Sequence, residues 1–154
     1  MVWEIVNGKK KTTHEDDFNR TAKKQGEPYQ PPVQDYDIHI YFESDAPSKK
    51  TAGQVALEIK RLFPDAVLDI HRLDAKVGPH TAPNWAVNIT PESFGEVVSW
   101  LQRHSEGLSI LIHPHTGDEI ADHTNSALWL GKPIELNIAF FEKSKPTPPK
   151  GPSL

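Results

Sequence analysis

The residues best suited to chemistry gather near the C-terminal end, in His113-Pro114-His115-Thr116-Gly117-Asp118-Glu119, followed by Asp122-His123 and Trp129-Leu130-Gly131. This stretch holds three of the chain's eight histidines. Imidazole is the side chain whose ordinary pKa lies nearest neutral pH, so it can carry protons or ligate a metal through a neutral ring nitrogen. The chain has no cysteine, which leaves no thiolate nucleophile and no thiolate ligand. Any metal must therefore be held by His, Asp and Glu. Two or three imidazoles with a carboxylate and no sulfur form the donor set of a mononuclear iron(II) oxygenase centre or of a catalytic zinc. There is no His-Glu-x-x-His spacing to favour zinc. A plainer reading of the same stretch is a capped turn whose histidines are solvated or hydrogen-bonded.

The elements around this stretch decide which reading holds. Leu108 to His113 is a short apolar run that reads as a buried strand with His113 at its end. Thr116 and Glu119 have the spacing of a capping box, and a helix is expected over residues 117 to 128 with Ile120, Thr124, Ala127 and Leu128 inward and His123 on the flank. Upstream, Tyr36 to Phe42 alternates strictly, so Asp37, His39 and Tyr41 share the polar face of a strand. Apolar residues at Ala52, Val55, Ala56, Ile59, Leu62 and Phe63 mark one face of a helix ending before Pro64. Val67 to Arg72 is a second strand with Asp69 and His71 on one face. A turn-rich connection, residues 74 to 83, carries His80. Asn84 to Ile89 is a third strand, and Thr90-Pro91 opens a helix with Phe94, Val97, Val98 and Leu101 inward. Ile134 to Phe141 alternates and is expected to be a further strand.

This order, β-α-β-β-α-β with an added helix and C-terminal strand, predicts an α+β, ferredoxin-like fold with both helices on one face of an antiparallel sheet. The other face would collect Asp37, His39, Tyr41, Asp69, His71 and His113. In that topology the first strand lies between the third and fourth, which brings His39 toward His113, while His80 arrives from the loop. Residues 35–142 form the expected domain, flanked by an extended or disordered arm (1–34) and a Pro-rich tail (143–154). His14 falls in the arm, and His104 at a helix end, where a cation is favoured.

With 154 residues, a net charge of −4 and no apolar segment near the ~20 residues of a membrane span, the chain is expected to be soluble and cytoplasmic. Its first residues place lysines after a very short apolar run, the reverse of a secretory signal. Nucleic acid is an unfavoured partner because the lysines are scattered or confined to the ends.

Four ordered motifs resemble the DOPA 4,5-dioxygenase family over about residues 36 to 141. They are Tyr36-x-x-His39-Ile40-Tyr41-Phe42, Val77-Gly78-Pro79-His80, Leu111-x-His113-Pro114-x-Thr116-Gly117-Asp118, and Asp122-His123-Thr124 with Trp129-Leu130-Gly131. Asp37-Ile38 and His115 depart from the pattern. The resemblance implies extradiol cleavage of a catechol by O2 at non-haem Fe(II), in fungi 4,5-cleavage of DOPA. On that reading His39, His80 and His113 are the expected metal ligands, and His123 and His71 are left for proton transfer or for orienting a ligand. Tyr41, Trp85 and Trp129 are candidates for stacking on the substrate, and Arg72 or Arg103 for meeting its carboxylate. The alternatives from other classes are a non-catalytic ferredoxin-like dimer, whose histidines would form interface hydrogen bonds, and a zinc hydrolase. A homodimer that shelters the polar sheet face is expected in the enzyme as well.

Overall fold

A computed structural model describes residues 33–143, together with the backbone of two short strands in the arm. The chain divides into two units, Met1–Pro32 and Val33–Leu154. In the first, β1 (Trp3–Val6) pairs antiparallel with β2 (Lys9–Thr12). The rest of the expected arm, and the tail beyond Lys143, lie outside the described residues.

In the second unit the strands are β3 (Tyr36–Tyr41), β4 (Val67–Leu73), β5 (Asn84–Ile89), β6 (Ile110–Pro114) and β7 (Leu128–Leu130). They form one antiparallel sheet in the order β4-β5-β3-β6-β7. The first four follow the ferredoxin-like order, and β7 extends the β6 edge. Helices α1 (Ala46–Leu62) and α2 (Phe94–His104) supply the apolar layer. Ala52, Val55, Ala56 and Ile59 of α1 and Val97, Val98 and Leu101 of α2 pack on Ile38, Ile40, Val87, Ile89, Ile110 and Ile112. Each fully buried Ile or Leu there contributes roughly 1.5–3 kcal/mol, so the helix-covered face is where stability is concentrated. No helix of the described residues is long and apolar enough to cross a membrane.

Strand alternation then sends every second residue to the opposite face. There the register builds rows. One runs His71, Ala86, His39, Leu111, Trp129 across the sheet, and the next runs Asp69, Asn88, Asp37, His113. Ala86, opposite His39, leaves room above the sheet that a larger residue would fill.

Three expectations are corrected. Residues 134–141 form no strand: Ile134, Leu136 and Ile138 do alternate as half-buried positions, but the segment is tied to the 79–81 loop, through Asn137 N–H on the Pro79 carbonyl (2.8 Å) and Thr81 Oγ1 on the Glu135 carbonyl (2.7 Å). It ends in a short helix, α4 (Ala139–Lys143), and the added strand is Leu128–Leu130 instead. The helix after the central motif, α3, is only Glu119–Asp122, and its N-cap is Asp118, which accepts from Ala121 N–H at 3.1 Å. The Thr116 hydroxyl donates to Asp122, so the Thr116–Glu119 box does not form, and Thr124 and Leu128 are exposed rather than inward. Thr90 does not cap α2: its hydroxyl meets that of Ser93 at 2.7 Å, and a 3-10 turn, Pro91–Ser93, precedes the helix.

Candidate metal and catalytic centre

The sheet face opposite α1 and α2 carries a cluster of imidazoles that the strand register assembles. Asp37 and His113 stand directly opposite each other on β3 and β6, which makes His39, two residues along, the diagonal neighbour of His113. The two Nε2 atoms are 3.1 Å apart, with the rings stacked. His80 comes over the top from the 74–83 loop, its ring centroid 4.2 Å from that of His39. His123 follows α3 and sits 4.0 Å, ring to ring, from His113. All four are buried, although histidine is usually at least partly exposed.

Each ring is oriented by a partner on its far nitrogen. His39 Nδ1–H donates to Asn84 Oδ1 (2.9 Å), and the amide nitrogen of Asn84 donates to the Ala82 carbonyl, which fixes the amide's orientation. His113 Nδ1–H donates to the Pro114 carbonyl (3.1 Å), and His123 Nδ1–H to the Glu119 carbonyl (2.8 Å). A neutral imidazole with Nδ1 protonated carries its lone pair on Nε2. His39 and His113 therefore turn lone pairs, not a donor and an acceptor, toward each other. His80 Nδ1 meets the Tyr41 hydroxyl at 2.7 Å.

Electrostatics keeps the His39, His80 and His113 rings neutral. Burial, then the neighbouring His80 and His113, pushes His39 well below its ordinary value. Burial and then His123 bring His80 and His113 down to about 4. The acid of the centre is Asp37. Burial alone would raise it, but the hydrogen bond from His115, the proximity of His39 and the bond from Asn88 (2.8 Å) together hold it well below the usual carboxylate range. Its Oδ2 lies 3.8 Å from His39 Nε2 and 3.9 Å from His113 Nε2.

Asp37, His113 and His115 place ligand-type atoms within 4.8 Å of one another. His115, however, uses both nitrogens: Nδ1 faces Asp35, and Nε2 faces Asp37 at 3.2 Å. The hydrogen bond to Asp37 is the main influence that raises it to about 9. An imidazolium has no lone pair to give, so His115 orients Asp37 rather than joining it as a donor to a metal.

Among the other residues expected at the site, Tyr41 is buried on this face and stacks on Trp129 at 5.9 Å. His71 is on the correct face but at the rim, half-exposed and bonded to Asp69 at 3.0 Å. Trp85 and Arg72 are corrected. They pair across β5 and β4 on the helix side, where Trp85 joins the core and its indole lies against Gly53 of α1, so neither reaches the imidazoles. Arg72 pairs instead with Asp74 at 4.0 Å. Arg103 lies on α2, in the helix layer beyond the sheet. Asp37, Asn84 and His115 were not foreseen as contributors. The signal for two of them was parity, since Asp37 is two residues before His39, and His115 two after His113.

The cluster floors a cleft of about 220 Å³ whose other walls are Leu73, Val77, Pro79 and Phe141. One side is thus polar and nitrogen-rich, the other apolar and flat.

Residues 36–140 match the Dopa 4,5-dioxygenase family. An uncharacterised 21.2 kDa protein of Botryotinia fuckeliana is 35% identical over 120 residues, covering 71% of this chain and 64% of that protein. The DOPA 4,5-dioxygenase of Amanita muscaria is 32% identical over 135 residues, covering 79% of this chain and 56% of the relative. The chain thus spans between about half and two thirds of these relatives' lengths. The crystal structure of a candidate dioxygenase from Nostoc punctiforme superposes with a TM-score of 0.61 at 30% identity, covering 77% of this chain and 100% of that one. The match extends through every strand and loop that supplies an imidazole to the cluster, and the chain belongs to the Dopa 4,5-dioxygenase family.

Proposed function

We propose that the protein is a ring-cleaving dioxygenase that binds a single-ring catechol, such as DOPA, at a non-haem iron(II) held on the sheet face opposite α1 and α2. The observation that carries this reading is the pair of Nε2 lone pairs 3.1 Å apart. Two buried neutral acceptors facing each other repel unless a proton or a cation stands between them. Burial opposes an imidazolium at either ring, which leaves a metal cation as the fitting occupant.

The donor set suits iron(II). His39, His80 and His113 would supply nitrogens, and Asp37 is the carboxylate nearest to His39 and His113. Asn84, the Pro114 carbonyl and the Tyr41 hydroxyl hold the rings from behind, the outer partnership that fixes metal-ligand histidines. Iron(II) in such a site supplies open positions at which a catecholate and dioxygen are brought together.

The chain's own residues do the rest. His123, whose Nδ1–H donates to the Glu119 carbonyl, stands beside His113 with its Nε2 as the atom to take a catechol proton and return it later. Leu73, Val77 and Phe141 give a flat ring an apolar wall and keep water from it. The cleft, about 220 Å³, has room for one substituted ring.

The test is metal analysis of the purified protein, then anaerobic iron(II) loading and addition of DOPA or caffeate in air. Oxygen uptake with a yellow semialdehyde product is the expected result. A loaded protein that consumes no oxygen with either catechol overturns the reading.

A further inference from the structure

We propose that Asp122 and Thr116 form a clasp that positions His123. The inference rests on the role given to His123 above. Asp122 is 1% exposed, and among the described residues no cation is paired with it. Its two carboxylate oxygens are instead divided between the two donors of one residue: Thr116 N–H on Oδ2 at 2.9 Å, and Thr116 Oγ1–H on Oδ1 at 2.6 Å. A buried carboxyl group needs a donor at each oxygen, and here one residue supplies both.

What the pair accomplishes is closure. The chain leaves β6 at Pro114, reverses through Gly117 at φ +94°, and enters α3, and the two hydrogen bonds tie the start of this loop to its end. Because His113 lies three residues before Thr116 and His123 one residue after Asp122, the tie sets how far apart the two rings stand. The last turn of α3 completes the placement. His123 N–H and Nδ1–H both point to the Glu119 carbonyl, at 3.2 and 2.8 Å, and the ring is held between His113 and Phe141. Asp122 and Thr116 touch no substrate in this arrangement and act through His123, as positioning residues.

Thr116→Val keeps the shape of the side chain and removes the Oγ1 donor. On iron-loaded protein the expected result is a kcat about 10–100-fold lower at unchanged iron content, with Thr116→Ser restoring it. In an His123→Ala background, Thr116→Val should add little further loss. An equal loss in both backgrounds would show that Thr116 does not act through His123, and an unchanged kcat would also end the idea. A second readout is independent of turnover: ring 15N NMR of the metal-free full chain should show His123 as the Nδ1–H tautomer, and Thr116→Val, or Thr116→Ala if the valine variant fails to fold, should shift or broaden that signal while sparing His71. An unmoved His123 signal refutes the clasp. Wild-type protein that cleaves no catechol, with a His123 signal that still moves in the Thr116 variant, would discard the dioxygenase reading and leave the clasp standing.

Discussion

His39 and His113 meet Nε2 to Nε2 at 3.1 Å, and each has its Nδ1–H committed to an oxygen acceptor behind it, Asn84 Oδ1 for one and the Pro114 carbonyl for the other. The arrangement depends on sheet register: were β6 slipped by one residue against β3, His113 would point into the helix layer and Ile112 into the cleft.

A first prediction follows for these two residues. Replacing either His39 or His113 with alanine should weaken iron binding by more than the 10–100-fold typical of an outer partner, and activity should fall because iron is lost. The metal-free variants should melt no lower than metal-free wild type, because the facing lone pairs have gone. Iron content by elemental analysis and melting curves of chelator-treated samples check both halves. A His39→Ala protein that retains full iron removes His39 from the ligand set.

His123 is expected to behave differently. His123→Ala should keep its iron and still bind catechol, while turnover drops on the order of 10²–10⁴-fold, the usual worth of a positioned general acid or base. Iron content and kcat measured on the same preparation separate this from ligand loss. Should His123→Ala lose iron while His80→Ala keeps it, the third imidazole comes from the α3 side of the cleft and not from the 74–83 loop.

Trp85 provides a control on which face is which. Its indole packs in the core against Gly53, so Trp85→Phe should cost about 1–2 kcal/mol of stability, in the lower range of large-to-small core changes, and leave KM for a catechol unchanged. A raised KM with an unchanged melting temperature would mean that substrate reaches the helix side of the sheet.

How far the sequence could be read depends on whether a residue's partner lies along the chain or across it. Strand parity is local, so the alternation of Tyr36 to Tyr41 placed His39 and Tyr41 on the polar face, and helical spacing located α1 and α2 correctly. The alternation of Ile134, Leu136 and Ile138 is equally regular, yet among the described residues no neighbouring strand pairs with it, and period alone cannot show whether a partner exists. Thr116 failed as a helix cap for the same reason, because the acceptor that claims its hydroxyl is Asp122, six residues on. Trp85 was assigned to the site by chemical type, although its position opposite Arg72 on the helix face follows from the same alternation that places Ala86 under His39. In the sequence His115 and Asp37 stand out only as departures from the family pattern, because their ion pair joins residues far apart along the chain.

The arm offers a test of unit boundaries. The sheet and its helices form a unit that begins at Val33, and the polar, proline-bearing segment before it has few periodic apolar residues to add to a core. The Asn7-Gly8 pair between β1 and β2 is a sequence signal for a local hairpin, which needs nothing beyond itself for its register. Deleting residues 1–32 should leave one cooperative melt and unchanged iron binding. A truncated protein without a cooperative transition would contradict this.

Tyr41 decides between His80 and its rivals as a ligand. The phenol is buried, its ring stacks on Trp129, and its hydroxyl contacts His80 Nδ1 at 2.7 Å. Burial raises the phenol's pKa, so the group stays neutral and serves as a hydrogen-bond partner that fixes the imidazole. Tyr41→Phe retains the ring and its stacking while releasing His80 from that partner. If His80 donates to iron, the substitution should lower iron affinity about 10–100-fold with little change in the fold, because an unanchored ligand must be ordered each time it binds. If His80 serves only as a proton carrier or wall, iron affinity should be unchanged, and the effect should appear in kcat alone. Competition of the protein against a chelator of known iron affinity, run beside steady-state oxygen uptake, distinguishes the two. Loss of affinity in Tyr41→Phe together with full retention in His123→Ala would complete the ligand set as His39, His80 and His113, with Asp37 the carboxylate beside them.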